Sequence, residues 1–375
     1  MKSLKKVLII FICICVSAWS CLLAAIPAQS ATKVQNTYAA IGDSITSGYG
    51  LESFQNNDIN NKNSTYNFVT KLGKRLGMKT LNFGIEGIDT TMLLKAISNP
   101  STNEEKNAVS QMAKADLITL SIGGNNVFIP LLNSINDRIG NGKNIFNANA
   151  TELQNALIGL IFNGDEMDKL KKNIANGADI FVGNAKLNKT GDFSKIISTI
   201  KKLNPRAKII VQTIYNPYNL IMSDSIGTAI NRMNAEIIKG SDNGKNYKVA
   251  DVYSAFFKAK AGTQLVNADT GKSFDPHPTR KGHEVIYTLV AYAAGNDTLP
   301  YPVKLNIVKG KASAVISAGE LMLTVIPASG CKLPKDIYLT IGKSLKTTLP
   351  LKNGVAAVPI ADINTDISVT AVCTK

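Results

Sequence analysis

Five short apolar runs, separated by stretches of helical periodicity, constrain what this chain can fold into. They are Tyr38-Ala39-Ala40-Ile41, Lys79 to Phe83, Leu117 to Ile122, Ala207 to Ile214 and Tyr247 to Val252. Between them, apolar residues recur at helical spacing, as in Tyr66, Val69, Leu72 and Leu76, or Leu93, Leu94 and Ile97. Short strands that are apolar throughout lie buried on both faces, and helices between them make their neighbours parallel. The expected fold class is therefore α/β: a parallel sheet covered on both faces by helices.

The pattern also gives approximate boundaries. Ser64 is placed to cap a helix that Gly77 stops, and Thr90 begins another. Residues 127–191 are mainly helical and broken by Asn and Gly, which reads as an insertion lying over the site, in the manner of a lid. Helices are expected at Phe193–Leu203, Ile226–Ile238 and Arg280–Ala294. Residues 296–302, Asn-Asp-Thr-Leu-Pro-Tyr-Pro, resemble a linker. Beyond it the period changes to two, in Lys304–Val308, Leu321–Ile326, Ile337–Ile341, Val355–Ile360 and Ile367–Val372. Strands of that kind with Gly and Pro turns predict a small β-sandwich over 303–375.

The chain opens with Lys2, Lys5 and Lys6, then runs uncharged from Val7 to Ile26 before Ala28-Gln29-Ser30. This is the pattern of a secretory signal peptide over 1–30, with an uncleaved anchor as the alternative, and it places the protein outside the cell or at its surface. Its removal leaves a net charge near +12. Such a surface suits cell-wall polymers or anionic membranes, or is simply Lys-rich and solvated. The lysines are scattered, without interleaved aromatics, so no nucleic-acid partner is expected. Only Cys331 and Cys373 then remain, and two cysteines in an exported protein read as one disulfide. That bridge would be worth roughly 4 kcal/mol to a module with a thin core. With two His in the whole chain, no metal and no other cofactor are expected.

The first apolar run leads into Gly42-Asp43-Ser44-Ile45-Thr46-Ser47-Gly48. A serine on the turn leaving a buried strand stands at the sheet's carboxyl edge, where such sheets bind ligands; a serine there also commonly caps a helix. As a nucleophile it needs a base. His277, in the stiff loop Asp275-Pro276-His277-Pro278, is the better choice, and His283 reads as an exposed helix residue. Asp275 is the natural carboxylate to orient the imidazole. The polar stretch Glu52–Asn63 is expected near the mouth of the site.

Four of these stretches, taken together, resemble the SGNH, or GDSL, hydrolase superfamily. Gly42-Asp43-Ser44 is similar to its first block, Asn82-x-x-x-x-Gly87 to its second, Gly123-Gly124-Asn125-Asn126 to its third and Asp275-Pro276-His277-Pro278 to its fifth. The resemblance implies a flavodoxin-like three-layer α/β/α domain over 31–295 and ester hydrolysis through acyl-Ser44. It implies Ser44, His277 and Asp275 as catalytic residues, and the Ser44 N–H, the Gly87 N–H and the Asn125 amide as the oxyanion hole, with Gly84 a rival to Gly87. Two departures stand out. Asp275 precedes the histidine by two residues rather than three, so a backbone carbonyl could serve instead. Asn126 replaces a common Asp and suits turn geometry better than chemistry. Lipid acyl esters are the favoured substrates, given Leu157, Ile158, Leu160, Ile161 and Phe162 in the insertion. Acetylated polysaccharide is the alternative, and an inactive surface adhesin a second one.

Overall fold

The structure, a computed structural model, describes residues 36–52, 64–139, 142–145, 148–184, 187–218, 223–270, 274–295, 297–343 and 345–375. The signal segment 1–30 and most of the loop expected between Glu52 and Asn63 lie outside the described residues.

The five apolar runs form one sheet: β1 (Thr37–Gly42), β2 (Lys79–Gly84), β3 (Leu117–Ser121), β4 (Lys208–Gln212) and β5 (Lys248–Ala250). Its order is β2-β1-β3-β4-β5, and every pairing is parallel. This is the doubly wound order of flavodoxin-like folds, whose connections reverse between β1 and β3. Loops leaving those two strands at their carboxyl ends therefore face each other across a crevice.

Side chains alternate across the sheet. Ala39 and Ile41 of β1 face one core with Ile118 and Leu120, whereas Tyr38 and Ala40 face a second core with Leu117 and Ile210. The first core is closed by α3 (Thr90–Ser98), α5 (Gly124–Ile139), α7 (Gly164–Val182), α8 (Asp192–Leu203) and α9 (Ser223–Gly240). α4 (Asn103–Met112) lies between α3 and β3, and α6 (Ala150–Ile161) packs on α5 and α7. The second core takes α2 (Phe68–Leu76) and α11 (Arg280–Ala294). The cap of α2 is Asn67, whose side chain accepts from Val69 N–H. Ser64 instead donates its hydroxyl to the Glu52 carbonyl at 2.7 Å.

The C-terminal strands are β6 (Val303–Val308), β7 (Gly310–Ser317), β8 (Glu320–Pro327), β9 (Asp336–Ile341), β10 (Leu345–Pro350), β11 (Val355–Pro359) and β12 (Ile367–Val372). They build sheets ordered β11-β8-β7 and β10-β9-β12-β6, and the inward residues Leu321, Leu323, Ile337, Leu339, Val358 and Val369 are buried between them. This core is continuous with the second core of the α/β layers, including Ile286, Leu289 and Val290 of α11. The stretch before β6 is likewise tied down. The Arg75 guanidinium donates to the Pro300 carbonyl at 2.8 Å, and the Tyr301 hydroxyl to Glu284 at 2.6 Å. Lys260 pairs with Asp362 at 2.8 Å, and Lys258 with Glu320.

The expected disulfide is absent: Cys331 and Cys373 are both free thiols. Lys332 pairs with Thr374 in an antiparallel bridge, with N–H···O distances of 2.7 and 3.2 Å. That register sets Cys331 opposite Lys375 and Cys373 opposite Leu333. The cysteines are then diagonal neighbours, about 7–8 Å apart at that separation, instead of facing partners.

Candidate active site

The turn after β1 is shaped by contact with β3. Gly42 has φ of +140°, and a Cβ there would fall 2.0 Å from the Ser121 carbonyl oxygen, so only glycine fits. Asp43 N–H then donates to that carbonyl at 3.0 Å. The Asp43 side chain caps the one-turn helix α1 (Ser44–Ser47), accepting from Ile45 N–H at 3.1 Å and from the Ser121 hydroxyl at 2.7 Å. Burial pushes the Asp43 carboxyl up to about 6, against the pull of Ser121, Ile45 and His277. A one-turn helix leaves its carbonyls without helical partners. The Thr46 carbonyl is met by two amides, Asn82 Nδ2 at 2.8 Å and Asn67 Nδ2 at 3.0 Å. Ser44 thus stands on backbone fixed from three sides.

The loop before α11 brings the histidine to it. Ser44 Oγ lies 2.9 Å from His277 Nε2, and His277 Nδ1 lies 2.5 Å from Asp275 Oδ1. The two-residue spacing works because the loop doubles back: His277 N–H also donates to Asp275 Oδ1, at 3.0 Å. Burial opposes the charge on Asp275, but hydrogen bonds and the charge of His277, with Asn267, hold it below the usual carboxylate value. The carboxylate, not a backbone carbonyl, meets the outer ring nitrogen.

Further groups hold this loop. Asn267 Nδ2 donates to Asp275 Oδ2 at 2.8 Å, and Ala268 N–H to the Asp275 carbonyl at 2.8 Å. The Tyr215 hydroxyl donates to the Pro276 carbonyl at 2.7 Å, and the Tyr218 hydroxyl to the Phe274 carbonyl at 2.9 Å. None of the tyrosines or asparagines gripping the loop and the Ser44 turn was flagged by the sequence for that role, except Asn82 through its block. For Asn67, Asn82, Tyr215 and Tyr218 the partners are backbone carbonyls far along the chain, which leave no local pattern, whereas Asn267 meets the Asp275 carboxylate.

Gly87, in a left-handed conformation with open space beside it, and Asn125 line the same cleft as Ser44 and His277. One N–H of the Asn125 amide is fixed by the Ile88 carbonyl at 2.8 Å, which aims the side chain and leaves its second N–H. Asn126 points away, accepting from Thr90 N–H at 3.2 Å and donating to Thr90 Oγ1 at 2.8 Å, so it anchors the start of α3. Gly84 lies on β2, hydrogen-bonded to Asn82. The cleft holds about 360 Å³ and is mainly apolar, with Phe128, Ile129, Leu132 and Ile145 on the α5 side and Tyr49 and Tyr215 beside the histidine.

His283 is not the exposed residue expected. It is fully buried, its ring stacked 6.0 Å from Phe68, and neither ring nitrogen has a hydrogen-bond partner among the described residues. Burial lowers its pKa to about 3, so it is a neutral core residue. Among the described residues, no three His, Cys, Asp or Glu side chains gather as a metal would require. No helix there is long and apolar enough to cross a membrane.

The model of the GDSL-like Lipase/Acylhydrolase family matches residues 40–285. The uncharacterized protein YpmR of Bacillus subtilis (strain 168) is 22% identical over 277 residues, 72% of this chain and 86% of that protein. Among solved structures, the extracellular lipase of Streptomyces rimosus is 18% identical, with a TM-score of 0.45 over 70% of this chain and 100% of its own. Phospholipase A1 of Streptomyces albidoflavus NA297 is 15% identical, with a TM-score of 0.44 over 70% of this chain and 100% of its own.

Proposed function

Because the chain belongs to the GDSL-like lipase/acylhydrolase family, we propose that it is a serine esterase in which Ser44 is the nucleophile, His277 the base and Asp275 its orienting carboxylate. The observation that carries this reading is the continuous run of contacts from Ser44 Oγ to His277 Nε2, at 2.9 Å, and from Nδ1 to Asp275. Ser44 Oγ attacks the ester carbonyl carbon while its proton passes to Nε2. The oxygen that gains charge is met by the Ser44 and Gly87 N–H groups and the Asn125 amide, each worth roughly 3 kcal/mol to the barrier. The carbon–oxygen bond to the alcohol then breaks, and the Nε2 proton leaves with the alcohol. Water, deprotonated by the same nitrogen, attacks the acyl-Ser44 carbonyl carbon; the bond to Oγ breaks, Nε2 returns its proton to Oγ, and the acid leaves.

The apolar wall of Phe128, Leu132 and Ile145 favours an acyl chain over acetyl. The sequence of residues 1–30 supports action outside the cell. A p-nitrophenyl ester series tests both the activity and the chain-length preference. The expected result is turnover that rises from acetate to octanoate, with fluorophosphonate labelling that Ser44→Ala abolishes. Labelling that survives Ser44→Ala would overturn the assignment.

A further inference from the structure

Beside the apolar cleft runs a larger and chemically different one, of about 640 Å³, between α5 and α7. The two clefts share Asn125, Ile129 and Asn133, so the second adjoins the cleft that Ser44 lines. Its shape follows from the sequence. Gly177 lets α7 touch α5, since a Cβ there would fall 1.9 Å from the Asn126 carbonyl oxygen. Pro130 has no N–H to offer that same carbonyl. Beyond this contact the groove continues along α5 to Arg138, about 20 Å from Asn125 at the helical rise, where Arg138 Nε donates to Glu166 at 2.8 Å.

The groove walls are more polar than apolar: amides and carboxylates, with Ile129, Leu170 and Ile180 between them. Asn133, Asp137, Asn173 and Asn176 face it, and the side chains of Asn173 and Asn176 stand exposed on α7. Each amide offers two donors and an acceptor, and each carboxylate offers acceptors. That mixture pairs with hydroxyl groups, which donate and accept at once. An acyl chain would leave these groups unpaired. A phosphate would meet Asp89, Asp137 and Glu166 against only Lys169 and the already paired Arg138.

We propose that this groove binds the saccharide part of the substrate, so that the ester cleaved at Ser44 is an acylated sugar. This rests on the esterase reading above. The acyl group lies along Phe128 and Leu132, and the hydroxyl-rich half extends past Asn125 and Asn133 between α5 and α7. A small acyl sugar and an O-acetylated polysaccharide share this chemistry.

The test compares the wild type with an Asn173→Ala/Asn176→Ala variant in two arms. One sets sucrose monooctanoate against p-nitrophenyl octanoate, the other acetylated xylan against p-nitrophenyl acetate. The expected result is that the kcat/KM ratio of sugar ester to matched p-nitrophenyl ester falls at least tenfold in one arm, mainly through KM, and that arm identifies the source. A ratio unchanged in both arms overturns the proposal while leaving the esterase in place. If the wild type cleaves no ester, the esterase reading fails, and titration calorimetry of both proteins with xylotetraose decides the groove. Heat seen with the wild type and lost in the variant supports it; equal heat, or none, overturns it.

Discussion

Tyr218 clamps Phe274 twice: its hydroxyl donates to the Phe274 carbonyl at 2.9 Å, and the two rings stack with centroids 4.3 Å apart. The residue clamped is the one immediately before Asp275, so the position of the carboxylate depends on a side chain of the β4–α9 connection.

Tyr218→Phe keeps the stack and removes the donor. A buried carbonyl left unpaired costs about 1–3 kcal/mol, and the loop gains freedom at Asp275. Urea unfolding should register the first effect. Steady-state kinetics should register the second as a kcat lower by roughly tenfold with KM little changed, since small misplacements act on the reacting geometry.

Asp275→Asn removes the negative charge beside His277 and turns one of the two acceptor oxygens, which meet His277 and Asn267, into a donor. The expected loss in kcat is roughly three to four orders of magnitude. Asn125→Ala should cost roughly two to three orders through the oxyanion. Stopped assays with p-nitrophenyl octanoate measure both, and a loss smaller than tenfold for either would remove that residue from its role.

The buried His283 makes stability pH-dependent. In the folded chain it stays neutral down to about pH 3, whereas unfolded it takes a proton near its ordinary value of 6.5. Its contribution is therefore complete above 6.5 and lost as pH falls toward 3. Asp43 acts in the opposite sense: with its carboxyl raised to about 6, it favours the folded state below 3.8 and loses that effect as pH rises through 6. Between pH 4 and 6 the two slopes oppose each other. In His283→Leu the slope of stability against pH should fall by up to about 1.4 kcal/mol per unit in that window, as read from urea midpoints at pH 4, 5 and 6. An unchanged slope would mean that His283 is charged in the folded protein.

Cys331 and Cys373 should both be alkylated by iodoacetamide once the protein is unfolded without reductant, as read by peptide mass. Reductant should leave Tm unchanged. Survival of a linked peptide would contradict the diagonal register around Lys332 and Thr374.

The parallel sheet was legible because its strands are apolar on both faces and end in glycine or asparagine turns. That Ser44, Asp275 and His277 come together was legible through motifs, although the doubling back that brings Asp275 to the ring from two residues away is a property of the folded loop. β7 and β10 escaped notice for a physical reason. Both are sheet edges, where half-exposed positions hold Ala, Lys and Thr instead of a clear apolar face. His283 was misread although Ile286, Val290 and Ala293 continue its stripe along α11 at helical spacing, and all are buried. The free cysteines followed from a strand register that counting could not supply.

The continuous core beneath α11 has a consequence for how the protein fails. The turn that presents His277 leads straight into α11, and that helix shares a buried core with the C-terminal strands and packs on the turn Ile360–Asp362 that follows β11. A protease cut among those strands, none of which lines the cleft at Ser44, would loosen the seat of the imidazole and silence the enzyme from a distance.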